Sequence, residues 1–213
     1  MRTNKGILIQ QKRARKIVSA LKRLYPKRGT FLNFKNPWEL LVAVILSAQC
    51  TDKKVNEVTK TLFKKYRTLA AYVNANPREF ESDIRPTGFY RSKTRNILST
   101  ARIVRERFDG KVPRTMEELL TLPGVGRKTA NIVLELAYGI VVGIPVDTHV
   151  RRLARVWNLT SHNDPNKIEQ DLMTLIPKKD WPGISYRMVA YGREYCPAKK
   201  HNHAQCPISK IRL

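Results

Sequence analysis

Apolar positions along this chain recur every three to four residues, the period of a helix face, and no segment alternates with the two-residue period of a strand. Ile17, Val18, Leu21 and Leu24 mark one stripe on a basic N-terminal helix. From Pro37 to Gln49 the run PWELLVAVILSAQ is almost continuously apolar. A bilayer crossing needs about 20 residues, so this run reads as a buried core helix, with Asn36 and Pro37 as its cap and first residue. Thr51 or Asp52 can cap a following helix that runs to Tyr66. Thr115 to Glu118 has the form of a capping box, opening a short helix with Leu119, Leu120 and Leu122 on its apolar face. A Pro-Gly-Val-Gly turn follows, and then a helix carrying Ala130, Ile132, Val133, Leu134, Leu136 and Ala137 that closes at Gly139. Asp164-Pro165 starts another helix with Ile168, Leu172, Leu175 and Ile176, and Trp181 to Tyr195 supplies one more. The expected fold is all-α in two helical lobes: residues 30–140, with six helices and the hairpin at 122–126, and residues 1–29 with 141–213. An active-site cleft is expected between them.

Charge narrows what such a fold handles. Forty-one Lys and Arg against seventeen Asp and Glu give +24 and a pI near 10.4, an excess that points to a polyanionic partner and away from small neutral substrates. A ribosomal or chromatin protein would share the charge, but its basic tail would not need these apolar helices. No acidic residue precedes Glu39, so the N-terminal helix is open to two readings, a solvated basic face or a phosphate contact. Three cysteines cannot build a disulfide framework and no apolar signal region is visible, so an intracellular protein is expected.

The chemistry-bearing stretch is LPGVGRKTANIVLELAYGIVVGIPVDTH, residues 122–149. Pro123 sets its own φ, and Gly124 and Gly126 are expected to take backbone angles that a side chain would resist. The hairpin amides then stand at a helix N-terminus, where unpaired N–H groups and the helix dipole favour an anion such as DNA phosphate. A nucleotide-binding P-loop fails on spacing, because Arg127 separates Gly126 from Lys128. A structural helix pair is the plain alternative. Asp147, nineteen residues after Lys128, is also well suited to cap a helix. Residues 86–97 echo the stretch: Pro86, Gly88, Lys93, Asn96 and Ile97 repeat the order of Pro123, Gly124, Lys128, Asn131 and Ile132.

On these residues the chain resembles the endonuclease III branch of the helix-hairpin-helix DNA glycosylases. LPGVGRKTAN is similar to the family's hairpin, VDTHV to its catalytic aspartate segment, LLVAVILSAQCTD to its early helix and DNA-probing loop, and TGFYRSK to its intercalating loop, in family order over residues 30–195. The resemblance implies a bifunctional DNA glycosylase and AP lyase, a monomer acting on double-stranded DNA that holds a damaged base or abasic site, with oxidised or ring-saturated pyrimidines as substrates. Lys128 would be the amine that forms a Schiff base and Asp147 the carboxylate assisting base departure. Gln49 would fill the hole left by an extruded nucleotide, and Phe89 would act as wedge unless it is a core phenylalanine. Leu122, Gly124, Val125, Gly126 and Arg127 would form the DNA-binding hairpin. Attack requires a neutral amine, and desolvation, the helix dipole and Arg127 are expected to disfavour the ammonium. A monofunctional mismatch or uracil glycosylase is the nearest alternative, which Lys128 opposes; a non-catalytic DNA-binding module is a further one. His149 reads as structural.

The family typically ends in an iron–sulfur site spaced C-x6-C-x2-C-x5-C. From Cys196 those positions here are His203, Cys206 and Arg212, which leaves two thiolates of four. No iron–sulfur cluster is therefore expected, and the loop is expected to close by packing around Pro197 and Pro207 without metal. Zinc at Cys196, His201, His203 and Cys206 is the alternative, with C-x4-H-x-H-x2-C tighter than usual finger spacing.

Overall fold

The computed structural model describes residues 4–210, and Arg212, the last position of the iron–sulfur spacing, lies outside them. The described residues hold eleven α-helices and no strand: α1 Asn4–Leu24, α2 Pro37–Leu46, α3 Asp52–Lys65, α4 Leu69–Val73, α5 Pro77–Ile84, α6 Tyr90–Arg107, α7 Met116–Leu120, α8 Arg127–Tyr138, α9 Thr148–Val156, α10 Pro165–Leu175 and α11 Ile184–Glu194. They divide into two compact units, one of Thr30–Val142 and one joining Met1–Gly29 to Gly143–Leu213. None of these helices is long and apolar enough to cross a membrane.

Side-chain caps set most of the helix starts. Asn36 accepts from the Glu39 amide at 2.9 Å, while the Glu39 carboxylate accepts from the Lys35 amide, so orphan donors at the start of α2 are satisfied. Thr51, rather than Asp52, caps α3. Thr115 accepts from the Glu118 amide and Asp164 from the Lys167 amide. Each exchange lies within three or four residues, which is why these boundaries follow from local sequence.

In the Thr30–Val142 unit, α2 is buried on every side from Leu40 to Leu46; α3, α6 and α8 pack against it, α4 and α5 pack on α6, and α7 packs on α8. The unit thus holds seven helices instead of six; α4, only five residues long, is too short for its periodicity to show in the sequence. Tyr66, Tyr72, Phe80 and Trp38 meet at tilted or edge-on angles with centroids 5.2–5.8 Å apart. On α7 the apolar face is Met116 and Leu119, with Leu122 beyond it; Leu120 points outward, 45% exposed, because a five-residue helix buries only one side.

The other unit packs α1 beside α10 and α11. Ala14, Ile17, Val18 and Leu21 form its buried stripe, with Leu24 at the margin. Arg187 of α11 is almost fully buried, and its guanidinium donates to the Tyr25, Pro26 and Pro182 carbonyls, tying the exit of α1 to α11. A planar guanidinium donates from three separate nitrogens, here Nε, Nη1 and Nη2, and so reaches three carbonyls spread around it, whereas the donors of an ammonium all radiate from one atom.

Candidate active site and metal-ligating loop

Three loops of the Thr30–Val142 unit are held by a single helix, α6. Its buried Lys93 donates to Leu46 O at the end of α2 and to Thr87 O, both at 2.8 Å. These carbonyls lead directly into the loops bearing Gln49 and Phe89. Both side chains are exposed, Phe89 at 64%, so the core-phenylalanine alternative is excluded. Both residues also have left-handed backbones, φ +52° at Gln49 and +48° at Phe89. Non-glycine residues adopt that region only where surrounding structure imposes it, at about 1–3 kcal/mol, and such outliers cluster at functional sites. Burial pushes the Lys93 amine below its ordinary value, and two carbonyl acceptors offset the cost of enclosing it.

One and two turns along α6, Asn96 and Thr100 hold the hairpin. Thr100 Oγ1 donates to Pro123 O at 3.0 Å. A Cβ built on Gly124 would sit 2.8 Å from Asn96 Nδ2, and Gly124 has φ +79°, so glycine is required there for both backbone angle and space. Gly126 differs from the expectation: its φ is −94°, an angle any residue adopts, and nothing lies within 4 Å of a Cβ placed there. What glycine contributes at Gly126 is open space at the helix start, since no side chain caps α8. Leu122 and Val125 are buried, so only their backbones can meet a ligand, while Gly124 and Gly126 are exposed and Arg127 is half-buried. Lys128 lies in the first turn of α8 with its side chain exposed. The burial expected to disfavour its ammonium is therefore not provided by the protein around it.

Asp147 belongs to the other unit, where two partners hold the segment leading to it. Buried Glu169 accepts from the Ile144 amide at 3.2 Å, and Ser185 Oγ donates to Pro145 O at 2.7 Å. Asp147 caps α9, its Oδ1 accepting from the Val150 amide at 2.8 Å, and it is half-buried. One carboxylate oxygen thus serves the cap and leaves the second for other work. His149 packs against Gly192, where an added Cβ would stand 2.8 Å from its Nδ1. Along α9 a recess of about 720 Å³ is lined by Arg151, Arg152, Arg155 and Ala198, among others, a concentration of positive charge that individual arginines in the sequence did not reveal.

Arg152 connects α9 with the C-terminal loop. It donates to Cys196 O and approaches Cys196 Sγ at 3.6 Å. In this loop Cys196, His201, His203 and Cys206 converge, their ligand atoms all within 4.8 Å of one another, a group that could hold a metal. The expectation of a loop closed by packing alone is thus not supported. The donor set does not fit a four-iron cluster either: two of the four donors are imidazoles, and each iron of such a cluster takes its own terminal thiolate, so its ligands radiate from four atoms rather than toward one point.

Lys93 stood out in sequence only as the echo of Lys128, not as a buried fastener, and Glu169, Ser185 and Arg152 were not singled out. Lys93 precedes Ile97, Ala101 and Val104 on the buried stripe of α6, and Glu169 follows Ile168 on that of α10, so a charged residue on an apolar face was the available signal.

Residues 42–178 match the HhH-GPD superfamily base excision DNA repair protein family. Endonuclease III of Synechocystis sp. is 48% identical over 202 residues, 95% of this chain and 92% of its own. Two solved structures superpose on this fold, a non-covalent endonuclease III–DNA complex with a TM-score of 0.89 and a trapped endonuclease III–DNA covalent intermediate with a TM-score of 0.88. Each is 42% identical, with 93% of both chains covered.

Proposed function

This chain belongs to the endonuclease III family of HhH-GPD base excision DNA repair proteins, a DNA glycosylase with AP lyase activity, and we propose that it excises oxidised or ring-saturated pyrimidines from duplex DNA through Lys128 and Asp147. The observation that carries the assignment is the exposed Lys128 amine in the first turn of the uncapped α8, next to the open backbone at Gly126.

The hairpin N–H groups and the N-terminus of α8 hold a DNA phosphate, with the net +24 charge supplying salt-dependent affinity. The damaged nucleotide rotates out of the stack; Phe89 wedges into the base step and Gln49 bonds the partner base left behind. Their constrained left-handed backbones support these roles, because an inserting side chain works best on a rigid loop.

Neutral Lys128 Nζ attacks sugar C1′ as the C1′–N bond breaks, and the base departs with the bonding electron pair and takes up a proton. Water exclusion at Lys128 comes from the bound DNA, since the protein leaves this side chain exposed. The Asp147 oxygen not used by the cap stabilises positive charge developing on the sugar and accepts the proton released from the amine. Ring opening yields a protonated imine between Lys128 and C1′, which acidifies the C2′ proton. Its removal drives β-elimination: the C3′–O bond breaks and the 3′ phosphate leaves with the electron pair.

Borohydride reduction on abasic and thymine-glycol duplexes tests the reading. Wild-type protein forms a covalent adduct on both; Lys128→Ala forms none. Asp147→Asn lowers excision by about 10²-fold or more with DNA affinity nearly unchanged. An undiminished adduct with Lys128→Ala removes the residue from this role, and excision of uracil from mismatches without strand cleavage would mark a monofunctional enzyme instead.

A further inference from the structure

We propose that Cys196, His201, His203 and Cys206 bind one zinc ion, in place of the iron–sulfur cluster typical of the family. Tetrahedral zinc holds sulfur at about 2.3 Å and imidazole nitrogen at about 2.0–2.1 Å, which sets donor–donor separations near 3.5 Å. Cys206 Sγ lies 3.5 Å from His201 Nε2, and Cys196 Sγ lies 3.8 Å from His203 Nδ1. The widest of the six separations, 4.8 Å at most, closes onto one ion with about 1 Å of movement.

The tautomer at His201 agrees with this assignment. Its Nδ1 is 2.8 Å from Lys199 O. A carbonyl only accepts, so Nδ1 carries the proton and Nε2 keeps its lone pair, directed toward Cys206. An imidazole whose second nitrogen donates to a carbonyl is the usual arrangement around a protein-bound metal. Both thiols are buried, and the ion takes the place of their protons, including the one Cys206 gives to Tyr195 O. Two thiolates then balance the charge of the dication without a further anion.

The consequence reaches α9. The loop has little regular structure, two short 3₁₀ turns, and its attachment includes the Arg152 bond to Cys196 O, from a side chain that also donates to Gly192 O of α11. Zinc fixes the Cys196 carbonyl, through it Arg152, and so the helix capped by Asp147; it also anchors exposed Lys199 and Lys200 between two ligands. Zinc has no redox chemistry, so oxidants would not destroy this centre by changing the charge on the metal.

Elemental analysis of the purified full-length chain, expressed with both iron and zinc supplied, reads the metal directly. The expected result is about one zinc per chain with only traces of iron, and cobalt substitution that produces the intense visible bands of a tetrahedral thiolate–imidazole site. Cys206→Ala and His201→Ala each reduce bound zinc by about tenfold or more. Should either variant fail to fold, wild-type protein stripped by chelator gives the same answer: its unfolding midpoint falls and is restored by zinc but not by magnesium. Stoichiometric iron with acid-labile sulfide overturns the proposal, as does protein that is isolated metal-free and takes up no zinc on titration. Zinc retained in full by both folded variants would also overturn it. None of these readings depends on glycosylase activity, so they stand apart from the roles of Lys128 and Asp147.

Discussion

Residues 86–97 and 123–132 share an order of proline, glycine, lysine, asparagine and isoleucine, yet their lysines have opposite fates. Lys93 is buried and spends its donors on two backbone carbonyls; Lys128 is exposed. The difference lies in what faces each helix start. The beginning of α6 abuts the end of α2, whose terminal carbonyls lack helical partners and need a donor, whereas α8 starts at an open hairpin. The same turn chemistry therefore makes an internal fastener in one place and a reactive amine in the other.

Removing each lysine should separate the roles. Lys128→Ala is expected to lower strand cleavage on the order of 10⁴-fold while leaving the unfolding midpoint within about 1 °C of wild type. Lys93→Met should do the reverse. It strands the Leu46 and Thr87 carbonyls and costs about 2–3 kcal/mol in urea unfolding, while Lys128 still forms the borohydride adduct. Equal stability for wild type and Lys93→Met would break the comparison.

The hairpin glycines sharpen it further. Gly124→Ala forces a side chain into a left-handed backbone against Asn96 and should cost about 2 kcal/mol, visible in the thermal midpoint. Gly126→Ala meets neither obstacle and should stay within about 0.5 kcal/mol of wild type. Its effect should appear as weaker duplex binding, because the added methyl crowds the approach to the α8 amides. A destabilised Gly126→Ala with normal binding would reassign that glycine to folding.

The smallest effect concerns pH. Burial holds the folded-state Lys93 amine below its ordinary value of 10.5, so the unfolded chain binds that proton more tightly. Between the depressed value and 10.5, unfolding takes up a proton, and the contribution of Lys93 to stability rises with pH across that window. Urea midpoints for wild type should climb relative to Lys93→Met as pH increases through it. A parallel pair of profiles would mean that the burial does not penalise the charge.

Local sequence determined the helix starts of this protein, because a cap at Asn36, Thr115, Asp147 or Asp164 needs only a side-chain oxygen and an amide two or three residues away. Continuous apolarity likewise determined that α2 is central, and the hairpin with Lys128 and Asp147 was legible as a pattern of residue types. Tertiary structure alone decided which of two similar lysines is enclosed, since that depends on the end of α2 meeting α6 across 47 positions of chain. It decided that Gln49 and Phe89 take left-handed backbones, a strain no local preference would select. It also brought two cysteines and two histidines to one point. Their spacing permits several geometries, and only the packing of Cys196 and Cys206 against α11 and Arg152 selects the one in which four donors face each other.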